Sequence, residues 1–575
     1  MAGTALLLVG IAHAQDGPQW ALNSQHTSQV SVAGQPLNNI LTSIVYDPLV
    51  AAEMAANQNE LLAHYQVPLI DGANIYMEFK SGKYNKNTYS TEIWGENGFQ
   101  WQHGKLVQTW SFTSDWTAPG SQADFWEPVF HAVLANGFIY IPGAGGTLFK
   151  LDTKTGSVIS RITPFGAKID PAIIVAGVPV TDGSGNVYYN AIQQYNSGTG
   201  ASFYQHDIID SWLVKVAGDD SVATVSYSVL VAETAPGSLP SPSPTDACLT
   251  VFSNKELPWP PSSTALPPTT PCGTMRPALN AAPAIAPDGT IYTVTRAHLI
   301  SRYAGIAAVH SNLTPKWWTS MRDRLNDGCN NDQGTFPRAL LPANGTPGGC
   351  RLGSTPGFDP ESNSRPPARV LDHSSSSITI TPDGSILYGA YTRYDFQRGH
   401  LLRFSSTGQF LGAYSFGWDS TPAIYSHDGT YSIVIKDNEY GHVGSYCDVD
   451  AFCPPRDNGP FFITQLDPNL NVQWMFQNTN NQKCTRNPDG SITCVPNSAG
   501  NIGFEWCINA PVVDSQGAVY ANSEDGNLYA IRQGGTLKQN IFLDLALGAA
   551  YTPLAVGPDG KVYTENKGTL FVVGQ

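Results

Sequence analysis

Gln66, Glu127, Asp170, Asn280, Asp372, His373, Asp419, Asn509 and Tyr551 share one local setting: each stands shortly ahead of an apolar run, in a stretch holding Pro, Ala or Ser. Oxygen-bearing side chains of this kind, gathered at one place, could ligate a hard cation such as Ca²⁺ or grip a polar ligand. Left apart, they hydrogen-bond nearby strand ends and ordered water. Trp126, Trp418 and Trp506 stand beside three of these positions. An indole face could stack on a sugar or another flat ring, although Trp in such places also suits contacts between sheets. Glu127 and Asp170, if held about 5 to 10 Å apart, would suit a lyase or hydrolase acting on glycans.

Other motifs carry less. Asp372-His373-Ser374 has the residue types of a hydrolytic triad, but neighbours in sequence seldom face one another, and no GxSxG elbow accompanies them. The Asp327 to Asp332 run lacks the spacing and closing Glu of an EF-hand, and the Asp467 to Asn471 run has Val472 where that loop needs Gly. Asn312 and Asn344 open glycosylation sequons. HExxH, CxxC and CxxCH are all absent, which removes the signals for a zincin, a zinc ribbon or thioredoxin-like site, and covalent haem.

The elements that must position these residues are short strands. Asn509 to Gly535 reads as three of them: the run at Val512-Val513, a turn at Gln516-Gly517, the run Ala518 to Ala521, a turn at Asp525-Gly526, and the run Asn527 to Ile531. The pattern repeats at once from Pro553 to Val573, and Tyr520 and Tyr563 are separated by roughly the 40 to 50 residues of a four-stranded propeller blade. Earlier copies begin at Val67, Pro128, Asp170, Pro283, Ser377 and Pro422, which makes eight blades. Outer strands close on Trp110, Trp317 and Trp474, while the last copy stops after its third strand at Gln575. The segment around Trp20 is expected to supply the missing fourth strand, closing the ring and removing two exposed edges. Pro48 to Tyr65, rich in Ala, Glu, Leu and Met, is the one expected helix.

Only 13% of the 575 residues are charged, while Gly numbers 55 and Pro 42, a composition of turns and strands. The 46 acidic against 31 basic residues give a formal charge of −15 with no basic cluster, which argues against nucleic acid and anionic lipid as partners. Residues 1–14 hold an apolar run from Ala5 to Ile11 and end Ala12-His13-Ala14, the small-x-small pattern of a cleaved export signal, though without a basic start. Beyond it no apolar run is long enough to span a bilayer. The nine cysteines include four locally spaced candidate pairs: Cys248 with Cys272, Cys329 with Cys350, Cys447 with Cys453, and Cys484 with Cys494. Cys507 is left over. Such pairs fit a secreted or periplasmic protein, and they fall in four interruptions of the repeat: 236–277, 321–370, 436–460 and 478–505. The expected layout is a leader (1–14), a closing strand and helical connector (15–66), and one propeller (67–575).

These repeats, with their xDGxxY and GxLxx-apolar-Asp pieces and a late Trp, resemble the quinoprotein-like β-propellers, or PQQ-like repeat proteins, from about Val67 to the C-terminus. The resemblance implies an all-β single propeller. It also implies one of several activities, since that superfamily holds calcium- and pyrroloquinoline-quinone-dependent dehydrogenases alongside assembly scaffolds and propellers without cofactors. The dehydrogenases carry two adjacent Cys over the quinone, and no two Cys are adjacent here. The reading of the sequence is an exported monomeric propeller that binds a small molecule, glycan or protein with no catalysis required, with Ca²⁺ as a possible ion and no cofactor established by the motifs. The runner-up is a quinone- and calcium-dependent alcohol or sugar dehydrogenase, with Glu127, Asp372, Asp419 and Asn509 near the metal and a Trp against the quinone. A glycan lyase or hydrolase comes third.

Overall fold

The computed structural model describes residues 17–575 except 58, 60, 62–63, 86–88, 119–126, 196–202, 249–268, 327–354, 356–364, 366, 392–398, 417–418, 439–458, 498–502 and 549–550. Eight antiparallel blades form a propeller, seven of them four-stranded, while blade 4 gains a fifth strand at Met275–Pro277. The innermost strands are short: Leu69–Asp71, Val133–Ala135, Ile173–Thr181, Ala284–Ile285, Thr379–Ile380, Ala423–His427, Val512–Val513 and Ala555–Val556. The turn after several of them is set by its Asp, whose carboxylate accepts the N–H two residues on, as Asp288 does from Thr290 (2.9 Å) and Asp383 from Ser385 (3.0 Å). The expected helix is present but brief, at Val50–Ala56.

Late tryptophans join one blade to the next. Trp110 donates to the Thr153 carbonyl of blade 2 (2.9 Å), Trp317 to the Ser406 carbonyl of blade 5 (3.0 Å), and Trp474 reaches Gln533 of blade 7 (3.5 Å). Each of the first two indoles lies over a turn glycine. A Cβ on Gly156 would stand 2.6 Å from the Trp110 ring, and one on Gly408 would stand 2.9 Å from Trp317. Both glycines have positive φ, 67° and 81°, so the turn needs glycine for its backbone as well as for the close approach of the ring.

Ring closure corrects the expectation for Trp20. The fourth strand of blade 8 is Asn39–Val45, paired antiparallel with Thr569–Gly574, so an N-terminal strand does close the ring but it is not the Trp20 segment. Trp20 is wholly buried in a core cluster beside Tyr65, Val129 and Tyr188, its ring edge-on to His131. Its segment has another task. From Gly17 to Gln35 the chain runs around the axis, hydrogen-bonding in turn Ile70, Leu134, Thr181, Ile285, Ile380, Ile424, Val513 and Gly560, one residue from each blade. Most of these contacts lie at the trailing ends of the inner strands. That end of the axis is therefore belted by the N-terminal segment, and we call it the lower face; the inner strands start at the upper face.

Two of the four expected disulfides are formed, Cys248–Cys272 and Cys484–Cys494, the second stapling a hairpin (Gln482–Arg486, Ile492–Pro496) that is hydrogen-bonded to residues 542–546 at the end of blade 7. The other two expected pairs do not enter the structure described: Cys329, Cys350, Cys447 and Cys453 all lie outside the described residues, as does the leader. The interruption expected from 436 starts later, since Lys436, Asp437 and Asn438 complete the second strand of blade 6, Thr430–Asn438. Among the described residues no helix is long and apolar enough to cross a membrane.

Candidate functional site at the upper face

Two sets of residues reach the upper face: those leading into the inner strands, and those ending the second strands, which run back antiparallel to them. The predicted site residues all belong to the first set. Several take part in bonds that cross from blade to blade. The Tyr65 hydroxyl, leading into blade 1, reaches the His373 carbonyl of blade 5 (2.7 Å), half the ring away. Asn280 accepts from the Val129 N–H (3.2 Å) and donates to the Glu127 carbonyl (3.4 Å). Asn509 accepts from the Thr421 hydroxyl (2.6 Å) and donates to the Ser375 hydroxyl, so blades 5, 6 and 7 are tied together there. Gln66 donates to Glu78 (2.9 Å), and Asp170 accepts from Ala172 N–H (2.9 Å) and Gln193 (3.0 Å). Asp170 shares no partner with Glu127 among the described residues. Trp506 is fully buried against Tyr529 and Phe476 between blades 6 and 7, while Trp126 and Trp418 lie outside the described residues.

The second set was missed, and it holds buried cations that face the carboxylates of the first. Lys80, Arg296 and Lys436 end the second strands of blades 1, 4 and 6, and all three are buried. Lys80 is enclosed by carboxylates: its ammonium meets Asp47 (2.6 Å) and Glu127, and His64 adds contacts to Glu53 (3.1 Å) and Glu127 (3.5 Å). Burial opposes the Lys80 charge, but Asp47 and Glu127 outweigh it and hold the ammonium well above its ordinary value. Arg296 meets Asp372 (2.9 Å), which also takes both terminal nitrogens of Arg276 and the Tyr204 hydroxyl. Burial would raise the Asp372 carboxyl; the two guanidiniums instead hold it far below the carboxylate range. His373 is pushed down to about 4 by burial.

Lys436 is the exception. Its side chain is fully buried and Nζ has no hydrogen-bond partner among the described residues. The ammonium stands 4.2 Å from the centre of the Tyr551 ring, whose hydroxyl donates to Glu505 (3.2 Å). Burial lowers its pKa, and the charges of Asp419, Cys507, Glu505 and Glu524 only partly offset that. Asp419, first among those charges, is itself half-satisfied. One oxygen accepts from the Ser374 hydroxyl (2.9 Å) and the N–H groups of Ser375 (2.9 Å) and Ser376 (3.1 Å); the other, also buried, has no partner among the described residues. An unmatched ammonium and an unmatched carboxylate oxygen in one neighbourhood are what a polar anionic ligand would complete.

Of the four residues implied for a calcium site, Glu127 gives one oxygen to Lys80 and His64, Asp372 is closed by Arg276, Arg296 and Tyr204, and Asn509 by Thr421 and Ser375. Asp419 and Glu127 each keep one buried oxygen without a partner among the described residues, but Asp372 and Asn509 are taken, so the set of four does not fit calcium. A cation and a base for an anionic organic molecule are present instead, at Lys436 and Asp419.

The sequence matches no family model and no curated protein. Its fold is similar to that of solved structures. One is a europium-containing methanol dehydrogenase (TM-score 0.50, 11% identity, covering 96% of this chain and 89% of that one). Another is the quinohemoprotein alcohol dehydrogenase of Comamonas testosteroni (TM-score 0.50, 10% identity, 99% and 82%). At such identity the likeness is one of fold, and the chain has the quinoprotein-like propeller fold.

Proposed function

We propose that the protein is an exported oxidoreductase that takes a hydroxyl-bearing small molecule at its upper face, off the axis between blades 5 and 8. The observation that carries this is the unmatched Lys436 ammonium near Asp419, whose second oxygen is also unmatched. In this reading Lys436 holds the anionic group of the redox partner, a carboxylated quinone or one of like chemistry, which when bound accepts the hydride. Asp419 accepts the hydroxyl proton, and its three Ser donors keep the carboxylate oriented. The fold shared with two dehydrogenases supports the reading, as do the formed disulfides for an oxidising compartment.

The test is oxidation of short alcohols and aldoses with an artificial electron acceptor, after loading with pyrroloquinoline quinone. Turnover is expected, and Lys436→Met should lower it by about 100-fold or more, the usual cost of removing one preorganised charge. Quinone binding without turnover on any alcohol or sugar would overturn the oxidoreductase reading and leave a ligand-binding propeller.

A further inference from the structure

Beside Lys436 lies a second group that the proposed reaction does not use. Glu505 and Cys507 alternate along the segment leading into blade 7, and Glu524 follows that blade's second strand. One ligand atom from each of the three lies within 4.8 Å of the others. The two segments are tied by their backbones: Glu524 N–H donates to the Glu505 carbonyl (3.0 Å), and the Ser523 hydroxyl donates to the same oxygen (2.6 Å). Cys507 is buried and reduced, whereas both glutamates are only part-buried, so the group opens toward solvent on one side.

We propose that Glu505, Cys507 and Glu524 bind a borderline divalent cation of the zinc class. A sulfur with two carboxylate oxygens disfavours Ca²⁺ and Mg²⁺, which take oxygen alone, and suits a four-coordinate ion. Three protein ligands leave a fourth position for water or a substrate anion. The independent sign of a ligand is Lys436, fully buried and without a hydrogen-bond partner at Nζ among the described residues, its ammonium 4.2 Å from the ring of Tyr551, whose hydroxyl donates to Glu505 (3.2 Å). None of the three ligands comes within hydrogen-bond reach of that ammonium. An anion carried on the fourth position of the metal would give that ammonium the partner it lacks. The site stands whether or not the protein oxidises alcohols.

Co²⁺ titration of the intact, metal-stripped protein tests this, because cobalt reports its own ligands. One equivalent should produce the near-ultraviolet charge-transfer band of a cobalt thiolate together with the strong visible bands of four-coordination, and Zn²⁺ should abolish both. Cys507→Ser should lose the charge-transfer band, Glu505→Gln with Glu524→Gln should lose binding, and Lys436→Met should keep the metal while weakening the spectral response to added azide or acetate. A wild-type protein that takes up no cobalt, or takes it up without the thiolate band, overturns the proposal. Quinone-dependent turnover does not enter this readout, so failure here leaves the oxidoreductase reading untouched.

Discussion

At the scale of residues, three buried cations in like positions have been treated in two ways. Lys80 and Arg296 sit against carboxylates at 2.6 and 2.9 Å, and removing a partner should expose what they cost. Asp372→Asn would leave Arg276 and Arg296 buried without their counter-charge, and a loss of about 3 to 5 kcal/mol is expected in chemical denaturation. A loss under about 1 kcal/mol would mean that water already compensates the guanidiniums. Part of this was legible in the sequence. The residues leading into the inner strands were found because each precedes an apolar run, and the structure places them at the upper face. What was missed is the other edge of the same turn of chain. Lys80, Arg296, Lys436 and Glu565 each stand near the end of a second strand whose first half carries apolar and aromatic residues, and a charge at the tail of such a run was the available signal. Which charge finds a partner depends on contacts between distant blades, such as Arg296 with Asp372, and local pattern does not carry that.

At the scale of elements, the blade is the unit that sequence shows best, because alternation and Asp-containing turns are local. The late tryptophans were legible as outer-strand ends, but their role as clasps was not, since the turn each one covers belongs to the next blade. Gly408→Ala would force a positive φ on a residue with a Cβ and press that atom onto Trp317. A loss of about 1 to 3 kcal/mol is expected by urea denaturation. Trp110→Ala should cost more, about 3 to 5 kcal/mol, through the cavity left between blades 1 and 2. If both variants melt like the parent, the clasps do not hold the ring. The Trp20 segment shows why closure was misassigned: its Trp resembles the late Trp of a blade, yet the pairing edge is filled by Asn39–Val45, a run with no Trp at all.

At the scale of the whole molecule, buried acids and His64, a buried histidine whose value is raised, set the response on the alkaline side. Burial lifts Glu92 and Glu565 from 4.5 to about 8, with Glu127 adding to the rise at Glu92. For His64, burial works downward, but the charges of Glu127 and Glu53 prevail and raise it from 6.5 to about 9. A raised value means that the fold holds the proton more tightly than the unfolded chain does. Such stability is complete below the unfolded value and is lost as pH climbs through the folded one. All three groups therefore weaken the fold toward alkaline pH, over 4.5 to 8 for the acids and 6.5 to 9 for His64. Asp372, held low, withdraws its contribution only on the acid side of 3.8. The melting temperature is expected to fall from about pH 6.5 to about pH 9, above the range in which the buried histidines with lowered values, such as His373, add stability, and a flat or rising profile there would contradict this assignment. The belt from Gly17 to Gln35, which touches every blade, was not legible because it makes single hydrogen bonds rather than a strand. Deleting it while keeping Asn39–Val45 should lower the melting temperature and speed hydrogen exchange at the lower face, with the upper face less affected.

The central claim is that Lys436 is kept buried and unmatched for a ligand, and melting curves of the parent and Lys436→Met, each with and without pyrroloquinoline quinone, test it most directly. An uncompensated buried ammonium destabilises the fold, so without ligand the variant should be more stable, by about 1 kcal/mol or more. With ligand the parent should rise, by about 2.7 kcal/mol at 100 times the dissociation constant, and the variant should not. A variant that melts below the parent and still responds to the quinone would make Lys436 a structural residue and remove the site from the upper face.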